Sequence, residues 1–293
     1  MLRKVVLPFF LLIGIGLLGQ QTDLERAEAF FDQKEFTKAE DLLLKLYSDD
    51  SSQLIKVKLA DTYAYQRKWD EAISLYDELV HDFPENAEYQ FKYGGALARK
   101  AEISSRLKAL MVIGKIKRSF VNAVELNPEH IEARWCLVDY HLVVPTLLGG
   151  STKKALEYAK ELQTISPIEG YFALGYIYHS DNQPIKAKEN FQKTIPYFDT
   201  LGAVERNQLN FLIGQVCSDF EVKLDFGIAK IKDYIARYSV KDGVSVSRAY
   251  YHLAKLYRLK KDRAQADMWI KKSLALNNAY VLAKEEQKII DML

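Results

Sequence analysis

Residues 57–84 read VKLADTYAYQRKWDEAISLYDELVHDFP. Ala60, Tyr63, Ala72 and Pro84 stand 3, 9 and 12 residues apart. A small residue and a ring three places later share one helix face. The ring packs on a partner helix, and the small residue lets the two helices approach closely. Gln66-Arg67-Lys68 is a polar turn, and Ala72 then opens a second helix with Tyr76 four places on. Pro84 ends that helix, because proline donates no amide and disfavours helix in the residue before it.

The same rhythm recurs outward in both directions. Ala27, Phe30, Ala39 and Ser51 repeat the 3, 9 and 12 spacing, as do Ala254, Tyr257, Ala266 and Asn278. Gly175, Tyr178 and Ala187 give 3 and 9, and Pro128 and Pro167 punctuate the chain as Pro84 does. A period near 34 residues built this way resembles the tetratricopeptide repeat, most closely over Val57–Pro84, Tyr171–Phe191 and Tyr250–Ser273. The resemblance implies an all-α, right-handed solenoid of about seven helix pairs. The units fall near 23–52, 53–86, 87–128, 129–167, 168–198, 203–241 and 245–278, and a capping helix at 279–293 closes the array.

Three units depart from the pattern. Leu97 and Ile116 are 19 residues apart instead of 9, so Arg99–Lys115 is read as longer helices carrying Ile103, Leu107, Leu110, Met111 and Ile113. Tyr140 to Ala155 spans 15, the excess lying in Val144-Pro145-Thr146-Leu147-Leu148-Gly149-Gly150, and Cys217 to Ala229 spans 12. The long third unit together with this Pro-to-Gly-Gly loop resembles a group of exported bacterial tetratricopeptide proteins. The Gly-Gly…Lys-Ala loop alone is loosely similar to periplasmic repeat proteins that accompany solute transporters.

Residues 1–19 have a different character. Arg3 and Lys4 precede an apolar run from Val5 to Leu18, and polar chain resumes at Gln20. This is the layout of a secretory signal cut after Gly19; the run is short for a bilayer span, which needs about 20 apolar residues. A periplasmic or secreted protein follows, the alternative being an uncleaved anchor in the inner membrane. The first cysteine is Cys136, which excludes a lipid-modified N-terminal cysteine. Removing Arg3 and Lys4 from the 41 basic residues leaves 39, equal to the 39 acidic ones. Nucleic-acid binders usually carry a basic excess, so that partner class is excluded. Cys136 and Cys217 are read as buried free thiols, cysteine packing like a small hydrophobe.

The chemistry-bearing motifs are missing. His81, His130, His141, His179 and His252 form no zinc-ligand spacing, so no metal or cofactor is expected. Gly149-Gly150-Ser151-Thr152-Lys153-Lys154 fails the phosphate-loop spacing and follows no strand. It reads as a turn with Ser151 or Thr152 capping the next helix, with an anion at that helix start as the other reading. No nucleophile has a base beside it, which leaves a non-catalytic interaction scaffold as the first reading. A soluble accessory for solute transport is the second and an enzyme the third.

The resemblance also implies where a protein or peptide partner binds. Phe91, Phe172, Phe211 and Tyr251 each precede a small residue by three, in a register that faces the concave side in this family. Four later come Gly95, Tyr176, Gln215 and Lys255, and Arg99 and Arg258 add charge further along. Arg134, His141 and His179 complete the expected groove. Clamps for acidic C-terminal tails use Lys, Asn and Arg at these places, and rings with Gly disfavour that ligand. The alternative is that the rings pack between neighbouring helices.

Overall fold

The computed structural model describes residues 23–201, 204, 206–239 and 242–293. The expected export segment lies outside the described residues. Every regular element among the described residues is helical. In chain order these are α1 (23–32), α2 (Phe36–Asp49), α3 (Gln53–Tyr65), α4 (Trp69–Asp82), α5 (Ala87–Glu102), α6 (Arg106–Leu126), α7 (Ile131–Val143) and α8 (Thr152–Ile165). There follow α9 (Pro167–Ser180), α10 (Pro184–Gln192), α11 (Asn207–Asp219), α12 (Leu224–Ala236), α13 (Val246–Leu259), α14 (Arg263–Leu276) and α15 (Val281–Asp291). Of these, α3 with α4, α5 with α6, α9 with α10, α11 with α12 and α13 with α14 pack as the pairs that the rhythm of small residues and rings calls for, and α15 packs on α14. The described residues divide into two compact units, one up to residue 137 and the other from 138 on.

Five of the turns inside pairs are built alike. Lys34, Arg67, Asn182, Glu221 and Lys261 each stand seven residues after a small one, and each adopts a left-handed conformation with φ from 55 to 63°. The next residue's N–H then reaches back to the carbonyl three places after the small residue: Glu35 to Phe30, Lys68 to Tyr63, Gln183 to Tyr178, Val222 to Cys217 and Asp262 to Tyr257, at 2.8–3.1 Å. This bond satisfies a helix-end carbonyl that would otherwise lack a partner. It offsets the roughly 1–2 kcal/mol that a side chain costs in this region. The second helix starts at once, its small residue donating back into the turn, as Ala72 does to Lys68 at 3.1 Å.

The small residues are contact points. A Cβ on Gly175 would lie 2.4 Å from the Phe191 ring, one on Gly214 would lie 2.3 Å from Ile231, and one on Gly94 2.9 Å from Ser119 Cβ. Ala60, Ala72, Ala254 and Ala266 are fully buried at the equivalent places. In unit 1 the core gathers Leu43, Leu59, Tyr76, Leu79 and Phe120; in unit 2 it gathers Leu162, Phe172, Ile177, Phe211, Ile213, Tyr234, Leu253 and Ile270. Of the two thiols, Cys217 is buried and Cys136 only half-buried. The expectation of two buried thiols is thus met at one of them.

The long third pair and the Pro-to-Gly-Gly loop take defined forms. α5 and α6 are extended helices joined by a tight turn at Ile103–Ser105, with Ser105 Oγ accepting from Lys108 N at 3.5 Å. After α7 a short 3-10 turn (Thr146–Leu148) leads to Gly149 at φ 100° and then to Ser151, whose Oγ accepts from Lys154 N at 3.3 Å. Gly150 cannot carry a side chain, since a Cβ there would sit 1.6 Å from the Val144 carbonyl oxygen.

Gly214→Leu and Ala254→Leu are expected to lower stability by more than about 1 kcal/mol each through overpacking. Phe172→Ala is expected to cost about 3–5 kcal/mol, as truncation of a buried Phe does. Chemical denaturation measures all three, and wild-type midpoints would contradict the packing described.

Candidate partner-binding surface

The odd-numbered helices carry the expected groove residues, and the structure sorts them into two sets. Phe172 and Phe211 are 1% exposed, Tyr251 is 8%, and Arg134 and His141 are buried too. These five belong to the core and line no open surface, which corrects the expectation. The reason lies in the spacing: a ring three places before a small residue shares that residue's face, and that face packs on the partner helices. Phe211 meets Tyr234 and His252 at centroid distances of 5.4 and 5.5 Å, and Tyr251 meets Tyr280 at 5.4 Å. Phe91 is half-buried against Phe120 and His130. His141 lies between the rings of Tyr140 and Tyr158.

The register one place after each small residue is at least partly exposed, and its occupants differ. In unit 1 ion pairs fill it at Glu28 and Asp61, and Gly95 leaves it without a side chain. Glu28 pairs with Lys58 at 2.7 Å, and Asp61 pairs with Lys92 at 2.8 Å while accepting the Tyr76 hydroxyl at 2.6 Å. Burial and the Asp61 carboxylate push the Tyr76 phenol far above its ordinary range. Arg99, also in unit 1, pairs with Glu102 at 3.1 Å.

In unit 2 the same register holds Tyr176 on α9, Gln215 on α11 and Lys255 on α13. Tyr176 is exposed, and burial of its hydroxyl end, with the Asp139 carboxylate it bonds, raises that phenol to about 12. Lys255 pairs with Asp219 at 3.0 Å, and Arg258 pairs with the buried Glu286. His179 is exposed above a shallow depression lined by Pro184, Phe191, Asp219 and Phe220.

Arg248 joins this surface, and the sequence reading missed it. Its guanidinium lies 5.5 Å from the centre of the Phe211 ring, bonds the Tyr280 hydroxyl and acts on the Tyr176 phenol. The side chain is exposed and has no carboxylate partner among the described residues. It stands six places before Ala254, a position without a repeated residue type, so no signal in the rhythm marked it.

Nothing on this surface assembles a reaction centre. Ser218 Oγ lies 3.2 Å from His252 Nδ1, and Asp219 lies 4.0 Å from the same nitrogen. A catalytic triad needs the nucleophile and the orienting carboxylate on opposite nitrogens of the histidine base, and both Ser218 and His252 are buried. No cluster of metal-ligating side chains occurs among the described residues. Four amides of the Pro145–Ser151 loop bond within it or to α7: Leu148 and Gly150 donate to Pro145, Gly149 to Thr146 and Ser151 to His141. Glu169 and Arg206, nearly buried, bond each other at 2.8 Å and tie α9 to the start of α11.

A chain of stacked helix pairs, with small-residue contacts inside each pair and polar bonds between successive odd-numbered helices, defines a helical repeat protein. Family models described as tetratricopeptide repeat match residues 57–102, and also 168–195 and 247–280. Those three segments are tetratricopeptide repeats. Solved structures of similar fold include a tetratricopeptide repeat protein from Parabacteroides merdae, at 14% identity and a TM-score of 0.52, covering 92% of this chain and 98% of that one. Another is a thermophilic protein of the same kind from Thermus thermophilus, at 14% identity and a TM-score of 0.49, covering 74% and 99%. A C-terminal part of a repeat protein from Cytophaga hutchinsonii has 18% identity and a TM-score of 0.46, covering 90% and 98%. No curated protein matches the chain.

Burial lowers the His252 imidazole from 6.5 to about 4; Arg248 and Lys255 add to the shift and Asp219 opposes it. Below pH 6.5 the unfolded chain takes up a proton that folded His252 refuses. Its contribution is therefore complete above pH 6.5 and falls by up to roughly 3 kcal/mol as the pH drops to 4. Urea melts of wild type and His252→Asn across this range check the sign. The variant should lose less stability on acidification, and parallel curves would contradict it.

Proposed function

We propose that the chain is a non-catalytic adaptor of the bacterial cell envelope, and that unit 2 holds a segment of a partner protein across its odd-numbered helices. Repeats of this family serve as protein-interaction scaffolds, which supports the general role. The observation that carries the specific reading is Arg248, an exposed guanidinium set among Phe211, Tyr280 and Tyr176. Arginine beside aromatic rings is the composition enriched at the energetic centres of protein interfaces. Tyr176, Gln215 and Arg248 present a ring, an amide and a cation along successive helices, and an extended chain supplies carbonyls, amide groups and carboxylates to such a row. In unit 1 the ion pairs of Asp61 and Glu28 occupy two of the equivalent places, and Gly95 presents no side chain at the third.

The envelope assignment rests on the basic, apolar and polar order of residues 1–20. After expression in a bacterial host, N-terminal sequencing of the exported protein should begin at Gln20. Recovery of the intact chain in the cytosol would contradict export.

Partner capture by mild crosslinking, followed by Tyr176→Ala/Arg248→Ala, tests the surface. The double variant should stay folded with a modestly lowered melt, because both side chains are largely exposed and lose only the Asp139 and Tyr280 bonds and the Phe211 contact. Loss of about 2 kcal/mol or more of binding, roughly thirtyfold, is expected for an interface centre. A stable double variant that binds its partner as tightly as wild type would contradict the assignment.

A further inference from the structure

The hairpin between α5 and α6 carries a surface that neither the core nor the groove uses. α6 has 21 residues where α4 has 14. Gly94 of α5 packs on Ser119 and Phe120 of α6, so the added turns lie toward the hairpin tip at Ile103–Ser105. There the apolar side chains face outward: Ile103 is 75% exposed, Leu107 72% and Met111 78%, with Leu110 beside them. Leu107, Leu110, Met111 and Gly114 follow the i, i+3, i+4, i+7 spacing of a single helix stripe.

The charge around this stripe has one sign. No Asp or Glu occurs between Glu102 and Glu125, whereas Arg106, Lys108, Lys115, Lys117 and Arg118 do. At 100° per residue, Arg106 falls on one side of the stripe and Lys108 and Lys115 on the other. The carboxylates at this end are already engaged, Glu102 by Arg99 and Asp70 by Lys100. Arg106, Lys108, Lys115 and Arg118 have no carboxylate partner among the described residues.

Apolar side chains on a projecting tip, bordered by cations on both flanks, match the bilayer interface. The apolar chains enter the boundary between headgroups and acyl tails, while Lys and Arg stems reach back to the phosphates. We propose that the α5–α6 hairpin docks on an anionic lipid surface, with Ile103, Leu107 and Met111 inserted and Arg106, Lys108 and Lys115 at the headgroups. A cation near such a surface contributes about fivefold in partitioning, so the apolar and basic features act together.

Sedimentation of the full chain with vesicles of phosphatidylcholine alone, or of three parts phosphatidylcholine to one part phosphatidylglycerol, tests this. Partitioning should favour the anionic vesicles and weaken with added salt. Lys108→Glu/Lys115→Glu should weaken it about tenfold or more, and Leu107→Ser/Met111→Ser should also release the protein. All four positions are exposed, and unchanged melts would confirm that the fold is kept. Residues 5–18 are apolar as well but are identical in every variant, so the differences report on α6. Equal sedimentation with both vesicle types, or variants that bind like wild type, would overturn the proposal. So would lipid-independent capture of an acidic protein through Leu107.

Discussion

The fold depends on how closely two helices of a pair can approach. Gly175 against Phe191, Gly214 against Ile231 and Gly94 against Ser119 leave no room for another carbon. Dispersion and the hydrophobic effect favour that contact only at short range, and the small residue sets the range. Everything else follows the chain outward from this point. Three residues on, a carbonyl receives the turn's returning N–H. Seven residues on, the backbone turns left-handed, and five or six residues later the next small residue begins the partner helix.

The contact also divides the surfaces of the odd-numbered helices. Positions three before the small residue share its face and are buried or half-buried, whereas the position one after it lies to the side and is at least partly exposed. Sequence decides what fills the open place. Carboxylates at Glu28 and Asp61 meet lysines from the next odd-numbered helix, which commits those two places to stability. Tyr176 and Gln215 leave the register available, and Arg248 supplies a cation beside them. Buried polar pairs, Glu169 with Arg206 and Glu286 with Arg258, hold neighbouring helices in place beneath that surface. Removing one partner of such a pair strands the other charge, at a cost of about 3–5 kcal/mol.

Helix pairing was legible because small residues and rings recur at fixed intervals, and the extended third pair was legible as an interval that was too long. The turns were less so. Left-handed positions are usually flagged by Gly, and here Lys34, Arg67, Asn182, Glu221 and Lys261 hold them. The chain tolerates a side chain there because the 6→1 hydrogen bond compensates. The groove was misjudged at Phe172, Phe211 and Tyr251, where the resemblance suggested a concave face and the three-residue spacing already implied burial. Arg248 left no trace in the rhythm, because it matters through its neighbours in space.

A double-mutant cycle of Gly175→Ala and Phe191→Ala, read by urea denaturation, tests the close-contact constraint most directly. If the contact sets the helix spacing, the added methyl costs more than about 1 kcal/mol beside Phe191 and little or nothing once the ring is gone. Two costs that simply add would show that the glycine and the ring do not meet, and would contradict the account.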